Sequence, residues 1–157
     1  MAVKTIVVGA HLPVLRKRAA HIESFGKELQ RLVRDLHDTV EEAKGAGLAA
    51  PQINIAQAVT VAKIAGMFTT LVNPEVLWCS PEAVLGEEGC LSLPDIWLLV
   101  PRAKEIIVRF QTEKGEEREL KLTEFDARVV QHEVDHLLGK LIVDYQAVPS
   151  QQHQQAL

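Results

Sequence analysis

The segment 123–139, TEFDARVVQHEVDHLLG, constrains the fold most, because it predicts a helix that is apolar on two opposite sides. Thr123 with Asp126 fits the start of a helix, and Gly139 fits its end. At about 100° per residue, the two faces of this helix can be assigned. One face carries Phe125, Val129, His132, Glu133 and His136, and the opposite face carries Val130, Val134, Leu137 and Leu138. Such a helix is buried in the middle of a domain, so its polar side chains need partners.

The motif HEVDH on this helix indicates a metal site. His132 and His136 are one turn apart, so both imidazoles can reach one ion. Glu133 lies beside them and can hold a proton for a metal-bound water. The alternative is an exposed helix with ordinary polar residues, since H-E-x-x-H also arises by chance. The apolar flanks favour the metal.

A third ligand would complete such a site, because catalytic zinc-type centres use three protein ligands and leave a position open. Cys90, in EEGCLSLP at 87–94, offers a thiolate that binds Zn²⁺ or Fe²⁺ strongly. The alternative for any single cysteine is a small buried apolar side chain, which is what we expect for Cys79. Spacing alone does not decide the role of Cys90.

Composition sets the class of protein. The length of 157 residues favours one domain, over 1–146, with a loose glutamine-rich tail at 147–157. A net charge of −4 without a basic block argues against nucleic-acid or membrane binding. The apolar run at 6–10 is too short for a signal peptide. With only two cysteines, the chain indicates a reducing compartment.

The order of predicted elements indicates an α+β domain. Helical spacing covers 25–44, where Gly45 would stop the helix, and GAGLAAPQ at 45–52 favours a tight or extended backbone. Residues 58–64 and 68–73 are predicted strands, and 83–100 mixes strand and loop. Residues 105–111 and 117–122 form a predicted hairpin.

Three stretches carry a resemblance to a known family. GAGLAAPQ (45–52), EGCLS (88–92) and HEVDHLLG (132–139) match G-x-G-x-A-A-x-Q, E-G-C-[LI]-S and H-E-x-D-H-x-x-G at every fixed position and in the same order. HLPVLRKRA, VNPE, VPRA and LIVDY also fit. The chain therefore resembles the peptide deformylase family along nearly its whole length.

The resemblance implies a fold, a metal and a reaction. The fold would be mixed or antiparallel sheets packed around a central helix that bears HEVDH. Cys90, His132 and His136 would hold one divalent ion, with water in the fourth position. Fe²⁺ would be the native metal, with Zn²⁺, Ni²⁺ or Co²⁺ as alternatives. The reaction would remove the N-formyl group from the formyl-methionine of newly made polypeptides and release formate.

Roles in that reaction follow by resemblance. Glu133 would carry the proton from water to the leaving nitrogen. The Gln52 side-chain amide and the Leu91 backbone N–H would donate to the developing oxyanion. An extended substrate would pair like an added strand with Ala46 and Gly89.

Other positions line or brace the implied site. Gly45 and Gly47 suit a backbone close to the substrate, with a helix cap and turn as the alternative. Phe125 and Val129 would line the methionine pocket, with core packing as the alternative.

A further pair lies outside the implied ligand set. We expect Asp135 to pair with Arg102 and brace the ligands from behind.

Two positions depart from the family pattern. Trp97 would make the rim beyond the methionine pocket more apolar, and Gly86 would open the pocket edge. These departures leave substrate preference beyond formyl-methionine open.

The resemblance also implies the partners and the cellular compartment of the reaction. N-formylmethionyl nascent peptides are the implied partners, with transient ribosome proximity in a bacterial cytoplasm rather than an organelle. The chain stops soon after the last helix, which leaves the mode of ribosome docking open. The oligomeric state is also open.

Two other functions share part of this pattern. An H-E-x-x-H peptidase is disfavoured by Cys90 and Gln52. A non-catalytic peptide-binding relative that keeps a metal is disfavoured by Glu133 and Gln52.

Overall fold

A computed structural model describes residues 2–145, 148–150 and 155–157 of the chain. Within these ranges the helices are α1 (Pro13–Arg16), α2 (Lys27–Ala43) and α3 (Glu124–Leu137), with 3₁₀ turns at Ala50–Ile53 and Ile142–Asp144. None of the helices in the described ranges combines the length and apolarity that a membrane crossing requires.

The strands of the described residues form two antiparallel sheets. They are β1 (Gly47–Ala49), β2 (Val59–Ile64), β3 (Met67–Cys79), β4 (Ala83–Cys90), β5 (Leu93–Ala103), β6 (Glu105–Gln111), β7 (Glu117–Thr123) and β8 (Val148–Pro149). One sheet has the order β1-β2-β3-β6-β7 and the other β4-β5-β8, so β1 and β4 are edge strands. The predicted α+β class is confirmed.

Helix α2 forms where periodicity predicted a helix, because its apolar side chains recur every three or four residues. Leu29, Leu32, Leu36 and Val40 are buried. Its end differs in detail from the prediction: Lys44, with φ of 56°, takes the left-handed conformation, rather than Gly45. Gly45 instead allows a close approach, since a Cβ there would lie 2.8 Å from Leu91 Cδ1.

Strand β3 extends six residues beyond the predicted end at 73. The chain continues past Pro74 through an irregularity in the pairing with β6 between Val72 and Glu75. A β-bulge of this kind accommodates a proline that cannot donate to the ladder. The extension carries Cys79 to an exposed position, so the expectation of a buried Cys79 was wrong.

The described part of the tail differs from the loose segment expected at 147–157. Val148 and Pro149 pair with β5, the Ser150 N–H donates to the Trp97 carbonyl, and Leu157 is fully buried. Residues 147 and 151–154 lie outside the described residues. The loose tail was expected because this segment is mostly polar, and that composition gave no sign that Leu157 is packed.

Candidate metal centre and peptide groove

The buried side chains of Cys90, His132 and His136 converge at one point. Cys90 is the last residue of β4, and both histidines project from α3. Their ligand atoms lie within 4.8 Å of one another, and Cys90 Sγ is 3.4 Å from His136 Nε2. Tetrahedral zinc bound to one sulfur and one nitrogen would separate those two atoms by about 3.6 Å. The spacing therefore fits a single metal ion.

The orientation of His132 also fits a ligand. Its Nδ1 lies 2.9 Å from Glu88 Oε1 and donates to that carboxylate. Its buried Nε2 has no hydrogen-bond partner among the described residues. A buried polar atom without a partner is destabilising, and a metal at Nε2 would satisfy it. A histidine held by a carboxylate through its other nitrogen is typical of metal sites.

Glu88 is the hub of the polar contacts behind the ligands, a role that the sequence analysis missed. Its oxygens accept two hydrogen bonds from Arg102, both 2.8 Å, and one from Arg128 at 2.8 Å. Burial alone would raise the pKa of Glu88, but the hydrogen bonds from Arg102 and His132 hold it well below its ordinary value. The available signal was its place in EGCLS, directly before Gly89.

The predicted contact between Arg102 and Asp135 is present. Arg102 Nη1 lies 2.6 Å from Asp135 Oδ2 and 2.9 Å from the Tyr145 hydroxyl. That hydroxyl donates to the same Asp135 oxygen at 2.6 Å. Arg102 therefore links the Glu88 carboxylate to a second acidic group on α3. Tyr145, in the LIVDY stretch, was not foreseen as part of this network.

Glu133 is fully buried, and neither of its carboxylate oxygens has a hydrogen-bond partner among the described residues. A Cβ at Gly47 would lie 2.5 Å from Glu133 Oε2, so the backbone of β1 covers this carboxylate directly. Burial raises the pKa of the Glu133 carboxyl to about 7, although the neighbouring His132 opposes the shift.

The histidines differ in their electrostatic surroundings. Burial alone would lower the pKa of His132, but Cys90 and Glu88 raise it to about 10. Burial and the neighbouring His132 lower the pKa of His136. The neighbouring Glu88 and Glu133 carboxylates thus favour positive charge beside His132, and a metal cation bound to the neutral imidazole would supply that charge in place of a proton.

Gln52 points its amide nitrogen towards the cluster. It follows β1 on a 3₁₀ turn, and its Oε1 accepts the Ala49 N–H at 3.0 Å. This leaves Nε2 3.1 Å from Ser92 Oγ and 3.8 Å from Cys90 Sγ. The Gln52 amide is therefore held in one orientation. Ser92, which contributes to this, was not singled out from the sequence.

Ala46 and Gly89, the residues expected to pair with an extended peptide, both lie at free sheet edges. Ala46 directly precedes edge strand β1, and Gly89 lies on edge strand β4, one residue before Cys90. The Trp97 ring covers Gly89, because a Cβ there would lie 2.6 Å from Trp97 Cζ3. Gly89 is thus adjacent in sequence to Cys90 of the candidate metal cluster.

Comparisons with known proteins identify the family of this chain. The family model described as polypeptide deformylase matches residues 3–152. This chain belongs to that family. A peptide deformylase from Thermotoga neapolitana is 44% identical over 84% of this chain and 80% of its own length.

Solved structures give the same result. The crystal structure of the Thermotoga maritima peptide deformylase has a TM-score of 0.88 at 40% identity, covering 92% of this chain and 97% of its own. A Met-Ala-Ser-bound peptide deformylase from Acinetobacter baumannii has a TM-score of 0.88 at 36% identity, covering 92% of this chain and 100% of its own. The predicted family and fold are confirmed. As a deformylase, the chain is a hydrolase that removes the N-formyl group in N-terminal processing of new polypeptides.

The residues predicted to line the deformylase methionine pocket separate in the structure. Val129 is fully buried, whereas Phe125 is 46% exposed and lines a surface cleft with Gly86 and Arg128. Gly86 does not open the pocket edge as expected, because a Cβ there would lie 2.6 Å from Arg128 Cζ. The space that this glycine leaves is filled by a guanidinium.

Proposed function

We propose that Cys90, His132 and His136 hold one divalent metal ion, natively Fe²⁺, and that deformylation takes place at it. The observation that carries this is the convergence of one thiol and two imidazoles within 4.8 Å, all buried. A thiolate with two imidazoles suits both iron and zinc. The bound metal would supply a Lewis acid that polarises the formyl carbonyl and activates water.

Glu133 carries the proton in this proposal. It takes the proton of the attacking water and delivers it to the amide nitrogen as the bond to the formyl carbon breaks. Its support is positional: the carboxylate is buried one residue from His132 and has no other hydrogen-bond partner in the described ranges. A general base must reach the proton that it removes, and no other group competes for this carboxylate there.

The formyl oxygen becomes negatively charged as the water attacks. The Gln52 Nε2 group and the Leu91 backbone N–H donate to it. Gln52 supports this role because its Oε1 is already engaged by the Ala49 N–H, which fixes the direction of the amide hydrogens. Donors fixed before the reaction stabilise the transition state without reorganising.

The substrate binds as an added strand between Ala46 and Gly89. Its methionine side chain lies in a pocket beside Val129, and Phe125 lies near the entrance of that pocket. Gly45 and Gly47 let the β1 backbone come close to the substrate. Support comes from the edge positions of β1 and β4 and from the relative that binds Met-Ala-Ser. Backbone pairing at a sheet edge recognises peptides largely independently of sequence.

The surroundings of the site are also proposed. Helix α3 is the central element of the fold, supported by the burial of His132, Glu133 and His136. Asp135 and Arg102 brace the ligands through Glu88.

The cellular setting of the reaction is the bacterial cytoplasm with transient ribosome proximity, supported by the bacterial relatives.

Formate release from formyl-Met-Ala-Ser tests the proposal, with the same anaerobic preparation analysed for metal. We expect about one metal per chain and stoichiometric formate. Cleavage of an internal peptide bond without formate would establish a peptidase instead. If iron is native, the iron form loses activity in air through its thiolate ligand, and nickel substitution prevents the loss.

A further inference from the structure

The segment Gln155–Leu157 lies between Ala46 and Gly89, the two positions proposed to pair with the substrate. The Ala46 N–H donates to the Ala156 carbonyl at 3.0 Å, and the Leu157 N–H donates to the Gly89 carbonyl at 3.0 Å. On its other side, the Ala46 carbonyl accepts from the Lys63 N–H of β2. The segment thus bridges the free edges of both sheets, in the manner of an added strand.

The side chains of this segment anchor it further. Leu157 is fully buried and belongs to the apolar cluster that contains Ala46 and Val129. Gln155 Nε2 donates to the Lys44 carbonyl at 3.0 Å. Backbone pairing on both sides and burial of one apolar side chain are the features by which a short peptide is recognised.

We propose that Gln155–Leu157 is a built-in competitor of the peptide substrate. The proposal rests on the proposed function in one respect, that formylated peptides use the same groove. The Ala46 N–H and the Gly89 carbonyl are occupied by this segment, and the buried position beside Val129 is filled by Leu157. A substrate that needs these groups enters only when the segment has left.

The kinetic consequence follows from competition within one molecule. Only the fraction of chains with an open groove binds substrate, so the apparent KM rises by the reciprocal of that fraction. The kcat is unchanged, because the segment is absent from the chain that turns over. Burying one leucine side chain stabilises the state in which the segment is bound. We therefore expect chains with the segment bound to outnumber chains with the segment released by a ratio on the order of ten.

Two changes should release the groove. A chain ending at residue 154 and the variant Leu157→Ser should each lower the KM for formyl-Met-Ala-Ser by about tenfold with kcat unchanged. Leu157→Met is the matched control, because it keeps an apolar side chain of similar volume, and its KM should stay within about twofold of the unaltered chain. Equal KM values in the 154-residue chain and the unaltered chain would overturn the proposal.

Amide hydrogen exchange on zinc-loaded protein gives a readout without turnover. The Leu157 and Ala46 amides should exchange slowly in the unaltered chain. Adding Met-Ala-Ser should accelerate exchange at Leu157 while Ala46 stays protected by the incoming peptide. Leu157 exchange at the rate of a free peptide, or no response to Met-Ala-Ser, would overturn the proposal.

Two further outcomes separate the possibilities. Protection of Leu157 that rises with protein concentration would assign the segment to the groove of a second copy and would contradict competition within one chain. A Leu157 response to Met-Ala-Ser, in a protein that releases no formate, would support occupancy by the segment while refuting the proposed reaction.

Discussion

His132 Nδ1 lies 2.9 Å from Glu88 Oε1, and both side chains are buried. This contact fixes which imidazole nitrogen faces Cys90. The same carboxylate accepts hydrogen bonds from Arg102 and Arg128, so the ligand geometry depends on a network that spans β4, β5 and α3. We therefore expect substitution of Glu88 to weaken metal binding and substitution of Arg102 to lower the stability of the fold.

Replacing Glu88 with glutamine should weaken metal binding. Glu88→Gln keeps the size of the side chain but removes the charge that holds His132 and Arg102 in place. Loss of such a contact behind a metal ligand lowers affinity by about 10–100-fold. Competition with a chelator measures this directly. Glu75→Gln, on the exposed pair with Arg109, is the control and should leave the affinity unchanged, and equal affinities in both variants would refute the role of Glu88.

Arg102 should matter more for stability than an exposed arginine does. Arg102→Ala leaves the buried Glu88 carboxylate with Arg128 as its remaining arginine and removes the arginine from the partly buried Asp135, which should lower the free energy of unfolding by about 3 kcal/mol. Arg109→Ala breaks exposed pairs with Glu75 and Glu117 and should lower it by at most about 1 kcal/mol. Urea unfolding of both variants gives the comparison. A similar small loss at Arg102 would show that the network is not a brace.

The parts of the fold that were predictable from sequence are those set by local pattern. Helix α2 and the β6–β7 hairpin follow from apolar spacing and a turn, and they form close to the predicted ranges. The three motifs carry Cys90, His132, His136 and Gln52, which the structure brings together.

The rest depends on contacts between distant segments. Glu88 became the hub only because Arg102, Arg128 and His132 meet it from two other elements. Gly86 is filled by Arg128, which no local pattern indicated. Leu157 packs against residues that are far from it in the sequence. Composition alone therefore predicted a loose tail.

A side chain at position 47 should disturb the proton carrier. A Cβ there would lie 2.5 Å from Glu133 Oε2, and a displacement of about 1 Å in a catalytic group lowers the rate about 100-fold. We expect Gly47→Ala to lower kcat/KM for formyl-Met-Ala-Ser by about that factor. Gly26→Ala is the control, because a Cβ at Gly26 meets nothing within 4 Å. Wild-type kcat/KM in Gly47→Ala would mean that Glu133 tolerates displacement and would contradict its placement.

The most direct measurement is formate release by Glu133→Gln compared with the unaltered chain, both anaerobic, iron-loaded and matched in metal content. Glutamine keeps the shape of Glu133 but cannot carry the proton. The rate should fall by about 10²–10⁴-fold while metal content stays the same, because Glu133 is not a ligand. Formate release at the unaltered rate would contradict the proposed chemistry.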